Sequence, residues 1–169
     1  EHNILIKDAE SLELGYKVNA VILDKTGTIT EGHPEVQRTH WTETATSYDK
    51  GVLRRIEEQS EHPLAEAVIK YLEQEGTPTE EVTNFNSITG KGVRGTGVKG
   101  VTYFVGNFKL IAEHNLEITA EVTQTYQEWS EEGMTVIFFA NQKTVLGILG
   151  ITDKIKPTSA KAIALLQKR

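Results

Sequence analysis

The stretch Val18-Asn19-Ala20-Val21-Ile22-Leu23-Asp24-Lys25-Thr26-Gly27-Thr28-Ile29-Thr30 decides how the rest of the chain is read. Its first six residues form a nearly continuous apolar run, the pattern of a strand buried on both faces, and the run opens at Asp24 into a small polar loop. α/β folds place their chemistry at such a carboxyl end. Asp24 is therefore a candidate nucleophile toward a phosphoryl group: the loop offers backbone N–H groups and hydroxyls to phosphate oxygens, and Lys25 adds positive charge. An ordinary turn, in which Asp24 caps the loop and Gly27 permits the bend, fits the same spacing, and the residues alone leave both readings open.

Downstream of this loop the pattern changes. A weaker strand signal covers Glu35 to Trp41, and a helix starting at Thr46 or Ser47 carries Val52, Leu53 and Ile56 on one face. A second helix, with Ser60 as cap, Pro63 in its first turn and Leu64, Ala65, Val68, Ile69 and Leu72 in register, ends at Gly76 and completes a helical hairpin. Val82 to Gly106 reads as short antiparallel strands; Asn107 caps a short helix to Glu113, and Thr119 a longer one ending at Gly133. Strands at 135–140 and 143–151 form a hairpin, and a helix begins at Pro157 with Ala160, Ile163 and Ala164 on its apolar side. Ile4 to Leu14 reads as a lead-in helix. The expected architecture is α/β: a nucleotide-binding domain with an antiparallel sheet and a helical hairpin, residues 33–145, inserted between two pieces of another domain. Those pieces, 1–32 and 146–169, are expected to share one small parallel sheet.

Composition bounds the function. The 169 residues carry a net charge of -6, which argues against a nucleic-acid-binding face while leaving room for a local anion pocket. There is no cysteine for disulfides or thiolate metal sites, and the five histidines show no metal-ligand spacing. No apolar run approaches the ~20 residues that cross a bilayer, so the chain is expected to be soluble.

Two further segments could carry chemistry. In Ser60-Glu61-His62-Pro63-Leu64, His62 reads either as a loop histidine before a helix or as an imidazole able to stack on or hydrogen-bond to a purine. Gly90-Lys91-Gly92-Val93-Arg94-Gly95 has the G-x-G-x-x-G form, but strands follow where a dinucleotide site needs a helix, so hairpin turns are the expectation from the residues.

Asp24 to Thr30 resembles, over seven residues, the phosphorylation signature of P-type ATPases. The resemblance implies a haloacid-dehalogenase type of α/β domain in which Asp24 becomes an aspartyl phosphate. It further implies that Lys25 and Thr28 steady the phosphate, and that Asp24 and the Thr26 carbonyl help hold Mg2+. Ser60 to Leu64 is similar to the signature of the heavy-metal-transporting subclass, where the histidine orients ATP and a glutamate five positions earlier, here Glu57, contacts the adenine. By the same resemblance Gly90 and Gly92 let the backbone approach the nucleotide, Val93 packs beside the base, and Gly106-Asn107 places Asn107 to hydrogen-bond it; from the residues, Asn107 is simply a helix cap. Thr152 to Pro157 looks like the point of return into the phosphorylation domain, with Asp153 near the transfer site or hinge. Ile6 to Glu13 looks like the link from a metal-channel helix.

The implied protein is an ATP-driven heavy-metal pump with ATP and Mg2+ as cofactors; export of copper or silver leads, with zinc, cadmium or cobalt as the alternatives, since the selecting helices lie outside these residues. This chain would sit on the cytoplasmic face of a membrane and work with actuator and transmembrane domains of the same protein. No Thr-Gly-Asp or Gly-Asp-Gly segment follows in these residues, so the chain is expected to bind ATP without useful turnover. Two rivals stand beside this reading. A haloacid-dehalogenase phosphatase would also use Asp24, but has an acid where Thr26 stands; a non-catalytic adenine-nucleotide module would need only the second site.

Overall fold

The structure is a computed structural model that describes residues 8–168. It divides into two compact units, one made of residues up to Gly32 together with those from Ile155, the other running from His33 to Lys154.

The larger unit is built on a six-stranded sheet. Its strands are β1 (Thr30–Trp41), β2 (Val82–Ile88), β3 (Gly92–Gly97), β4 (Thr102–Gly106), β5 (Thr135–Asn141) and β6 (Val145–Ile155), in the order β1-β6-β5-β4-β3-β2. From β2 through β6 each neighbouring pair is antiparallel, because each connection is a hairpin or a short helical excursion. Helices α2 (Ser47–Glu58) and α3 (Ala65–Gln74) form the hairpin whose apolar stripe, led by Val52, Leu53, Ile56 and Val68, belongs to one core with Val105, Phe139 and Leu149. A second core gathers Leu110 and Ile111 of α4 (Phe108–Glu113), Val122 and Trp129 of α5 (Ala120–Glu131), and Phe138 and Ile148 of the central strands. The alternation Phe138 and Phe139 thus sends one aromatic ring into each core.

Local signals set the helix ends. Thr46 and Asp49 form a reciprocal capping box at α2, Asn107 accepts the Leu110 N–H, and Thr119 accepts the Val122 N–H. Ser60, expected to cap the next helix, does not: α3 starts after Leu64 with no side-chain cap, too far along for Ser60 to reach its first turn. The Ser60 hydroxyl instead accepts the His62 N–H at 3.2 Å.

In the smaller unit the structure differs from the sequence reading. Val18 to Leu23 forms no strand and is exposed, Ile22 at 99%. An apolar run becomes a central strand only when neighbours pair with its edges and cover its faces. Among the described residues this unit has α1 (Ala9–Tyr16), one π-helical turn at Lys25–Ile29, α6 (Ser159–Gln167), and, of the strands, only the tips of β1 and β6. For the same reason Ala160 and Ala164 on the expected apolar side of α6 are exposed. The return expected at residue 146 lies inside β6, which runs unbroken to Ile155 as a strand antiparallel to β5, and among the described residues no separate parallel sheet forms. The division falls after Lys154. Of the lead-in helix, residues 4–7 lie outside the described residues.

Candidate nucleotide site and phosphoryl-acceptor loop

A cavity of about 680 Å3 opens in the larger unit, within the roughly 300–1,000 Å3 range of small-molecule sites. Glu57, His62, Gly90, Gly92, Val93, Gly106 and Asn107, scattered over fifty residues of sequence, all line it. The fold brings them together because α2 ends at the cavity, the loop 59–64 runs along its rim, and the β3–β4 hairpin forms its wall.

Glu57 follows directly on Ile56, so the helical turn that buries Ile56 in the core carries Glu57 to the edge of that core. It is only 4% exposed and, among the described residues, no hydrogen bond or ion pair reaches its carboxyl. Burial pushes its pKa from an ordinary 4.5 up to about 7, since a charged carboxylate there loses water without gaining a partner. Near neutrality it can therefore either accept or donate a hydrogen bond. His62 is exposed on the rim, and its Nδ1 accepts the Leu64 N–H at 3.2 Å. That bond leaves the proton of the neutral imidazole on Nε2, the ring atom free to donate.

The glycines have two distinct reasons to be there. Gly90 has φ 71 in the turn before β3, with open space around a would-be Cβ. Gly92 and Gly106 face each other across β3 and β4, where a Cβ on Gly106 would fall on the Lys91 carbonyl oxygen and 2.9 Å from Leu110 Cδ2. The G-x-G-x-x-G run therefore enters a strand, and no dinucleotide-type helix follows it.

Asn107 ties this corner together. Its Oδ1 accepts the Leu110 N–H at 3.2 Å, its Nδ2 donates to the Gly90 carbonyl at 3.0 Å, and its backbone N–H donates to the Lys91 carbonyl at 2.9 Å. It lines the cavity while serving as the cap that its sequence position indicates, and each side-chain group keeps one further hydrogen-bonding position.

Asp24 belongs to the other unit, exposed and immediately before the π-helical turn. Gly27 sits there with φ 74 and donates its N–H to Thr30 Oγ1 at 3.1 Å; Thr28 is exposed. The side chains of Lys25 and Thr26 lie outside those described. Two residues that the sequence reading passed over close this loop from the returning chain. The Lys156 ammonium donates to the Gly27 carbonyl, and Ser159 Oγ to the Ile29 carbonyl at 2.7 Å. Only the tail motif containing Lys156 hinted at this; Ser159 gives no local signal. Asp153 lies in the larger unit, where its Oδ1 accepts the His33 N–H at 3.1 Å. Asp24 and the Thr26 carbonyl would supply two of about six magnesium ligands, which fits an ion that takes one or two protein oxygens and fills its other positions with water and phosphate oxygens; no cluster of three acidic or histidine side chains exists among the described residues. The sequence reading also missed Lys91, Phe85 and Ile88 in the walls of this cavity.

Residues 18–169 match the family model described as haloacid dehalogenase-like hydrolase. The chain belongs to the haloacid dehalogenase-like hydrolase family. Within it, the resemblance to heavy-metal-transporting P-type ATPases extends over nearly the whole chain. It is 40% identical over 169 residues to the probable copper-importing P-type ATPase A of Enterococcus hirae, covering 99% of this chain and 22% of the relative. With the probable copper-transporting ATPase PacS of Synechococcus elongatus the identity is 38%, with the same coverages, and with the copper-exporting P-type ATPase of Legionella pneumophila 35%, over 99% and 23%. The chain thus spans about a fifth of the length of these relatives. This member of the hydrolase family shares its fold with the catalytic domain of the CPx-ATPase CopB-B, at a TM-score of 0.67 and 24% identity over 98% of this chain and 55% of that one. The N-domain of HMA6, a copper-transporting P-type ATPase, is matched over 71% of this chain and 99% of its own, with a TM-score of 0.57 and 14% identity. No helix among the described residues is long and apolar enough to cross a membrane.

Proposed function

We propose that this chain is the ATP-binding and phosphoryl-accepting segment of a heavy-metal P-type ATPase, exporting copper or silver. The single observation that carries the reading is the convergence of seven sequence-nominated residues on one cavity, with a buried carboxyl among them that has no partner among the described residues. A purine seated there would meet Glu57, which accepts from the exocyclic amine as a carboxylate or donates to a ring nitrogen as an acid, and the Nε2–H of His62 on the rim. Val93 and Val105 would pack on its face, and the glycine corner would leave room for the ribose and phosphates.

The phosphoryl step belongs to Asp24. A carboxylate oxygen attacks the γ-phosphorus in line, the bond to the β,γ-bridging oxygen breaks, and ADP leaves with that electron pair, giving an aspartyl phosphate. Gly27 and the clasp formed by Lys156 and Ser159 would fix the loop's shape around Asp24. Magnesium, as in other phosphoryl-transfer sites, would have to find most of its ligands beyond Asp24 and Thr26. In the intact pump, the actuator and transmembrane domains would couple this chemistry to metal movement, with this segment on the cytoplasmic face.

Calorimetric titration of the chain with ATP, ADP and adenosine tests the reading. All three are expected to bind, and His62→Ala is expected to weaken each by about tenfold, the scale of one lost hydrogen bond plus ring contact. Failure of all three at millimolar concentration sinks it. Hydrolysis of a small phosphomonoester by the chain would point instead to a phosphatase.

A further inference from the structure

The cavity that would take an adenine nucleotide is poorly matched in charge to the nucleotide's other end. Its ionisable lining comprises Glu57, Glu61, His62 and Lys91, so Lys91 is the only lysine or arginine in its wall among the described residues. That single ammonium is paired with the Glu113 carboxylate at 2.8 Å, with side-chain exposures of 33% and 52%. The Lys91 backbone is held on both sides, its N–H donating to the Ile88 carbonyl at 3.0 Å and its carbonyl accepting from Asn107 at 2.9 Å. The stem is therefore fixed at the cavity wall while four methylenes leave the ammonium free to swing. Glu113 is the last residue of α4, where helix carbonyls already disfavour an anion, so it relies on Lys91 for compensation.

We propose that Lys91 recognises the phosphate chain of the bound nucleotide, and that Glu113 competes with the phosphates for it. This inference rests on the adenine-site reading above. In the free protein the two charges of the pair cancel each other; a polyphosphate of greater charge draws the ammonium away and leaves Glu113 to water, which its exposure allows. Lys91 then acts as a specificity determinant, separating nucleotides by phosphate charge while the base is held elsewhere.

The test compares dissociation constants for adenosine, ADP and ATP, in magnesium-free buffer of low ionic strength, for the whole chain and for Lys91→Met, Lys91→Arg and Glu113→Gln. Adenosine is expected to bind all four proteins alike, which also reports that each is folded. Lys91→Met is expected to weaken ATP by about three- to tenfold, the range of a partly exposed charge-assisted contact, and ADP by less. Lys91→Arg restores the preference, and Glu113→Gln tightens ATP about two- to fivefold by removing the competitor. An ATP-to-adenosine ratio that stays the same in Lys91→Met, or ATP binding that weakens in Glu113→Gln, overturns the proposal while leaving the adenine site standing. Loss of adenosine and ATP binding alike in the unmodified chain overturns both.

Discussion

Glu57 is a carboxyl that folding largely takes out of water without giving it a partner among the described residues, and the cost should be measurable. In the unfolded chain it ionises near its ordinary 4.5, whereas in the fold it keeps its proton up to about 7. The folded state therefore binds more protons between those values, so this residue's contribution makes stability fall as pH rises from about 4.5 through about 7, and then levels off. Urea unfolding of Glu57→Gln across that range should show the variant more stable by about 3 kcal/mol at pH 8, with the gap closing toward pH 4.5. A difference that does not vary with pH would refute this account. Beside Glu58 at the end of a helix, Glu57 is indistinguishable from a solvated residue by pattern; only the resemblance singles it out, because burial is set by distant parts of the chain. The same holds for Lys91 and Ser159, whose partners lie 22 and 130 residues away.

Elements whose limits are written locally were the most legible. Thr46 with Asp49, Asn107 and Thr119 announce their helices within four residues, and the structure starts α2, α4 and α5 there. Val18 to Leu23 shows the opposite case: a strand needs neighbours that no local pattern guarantees, and its apolar side chains stand in solvent. The β3–β4 pair lies between these extremes, since its glycines were visible but their mutual packing was not. Gly106→Ala should force the Lys91 carbonyl and Leu110 apart, lowering stability by about 1–3 kcal/mol. Because the same corner is tied by Asn107, adenosine affinity should drop with it, measured by urea midpoint and titration on one preparation. A fully stable variant with intact affinity would show that the strands can separate freely.

At the scale of the whole molecule, both cores and every cavity-lining residue fall between His33 and Lys154. Residues 33–154 alone are therefore expected to fold cooperatively and to bind adenosine within about twofold of the full chain, as judged by amide NMR spectra and calorimetry, since no residue lining the cavity is lost. A molten spectrum or lost affinity would show that the terminal residues contribute to it. The insertion was legible as an order of elements, but not how far the last strand runs, because the apolar run from Val145 continues past the expected return to Ile151 and the strand extends beyond it through polar Thr152, Asp153 and Lys154. The bond from the His33 N–H to Asp153 carries one more consequence. A body whose two severed tips already touch can be grafted through a single breach in a host's loop, since closing so short a gap takes little chain entropy. Transplanting the whole cavity as a ready-made cassette then requires only one splice point.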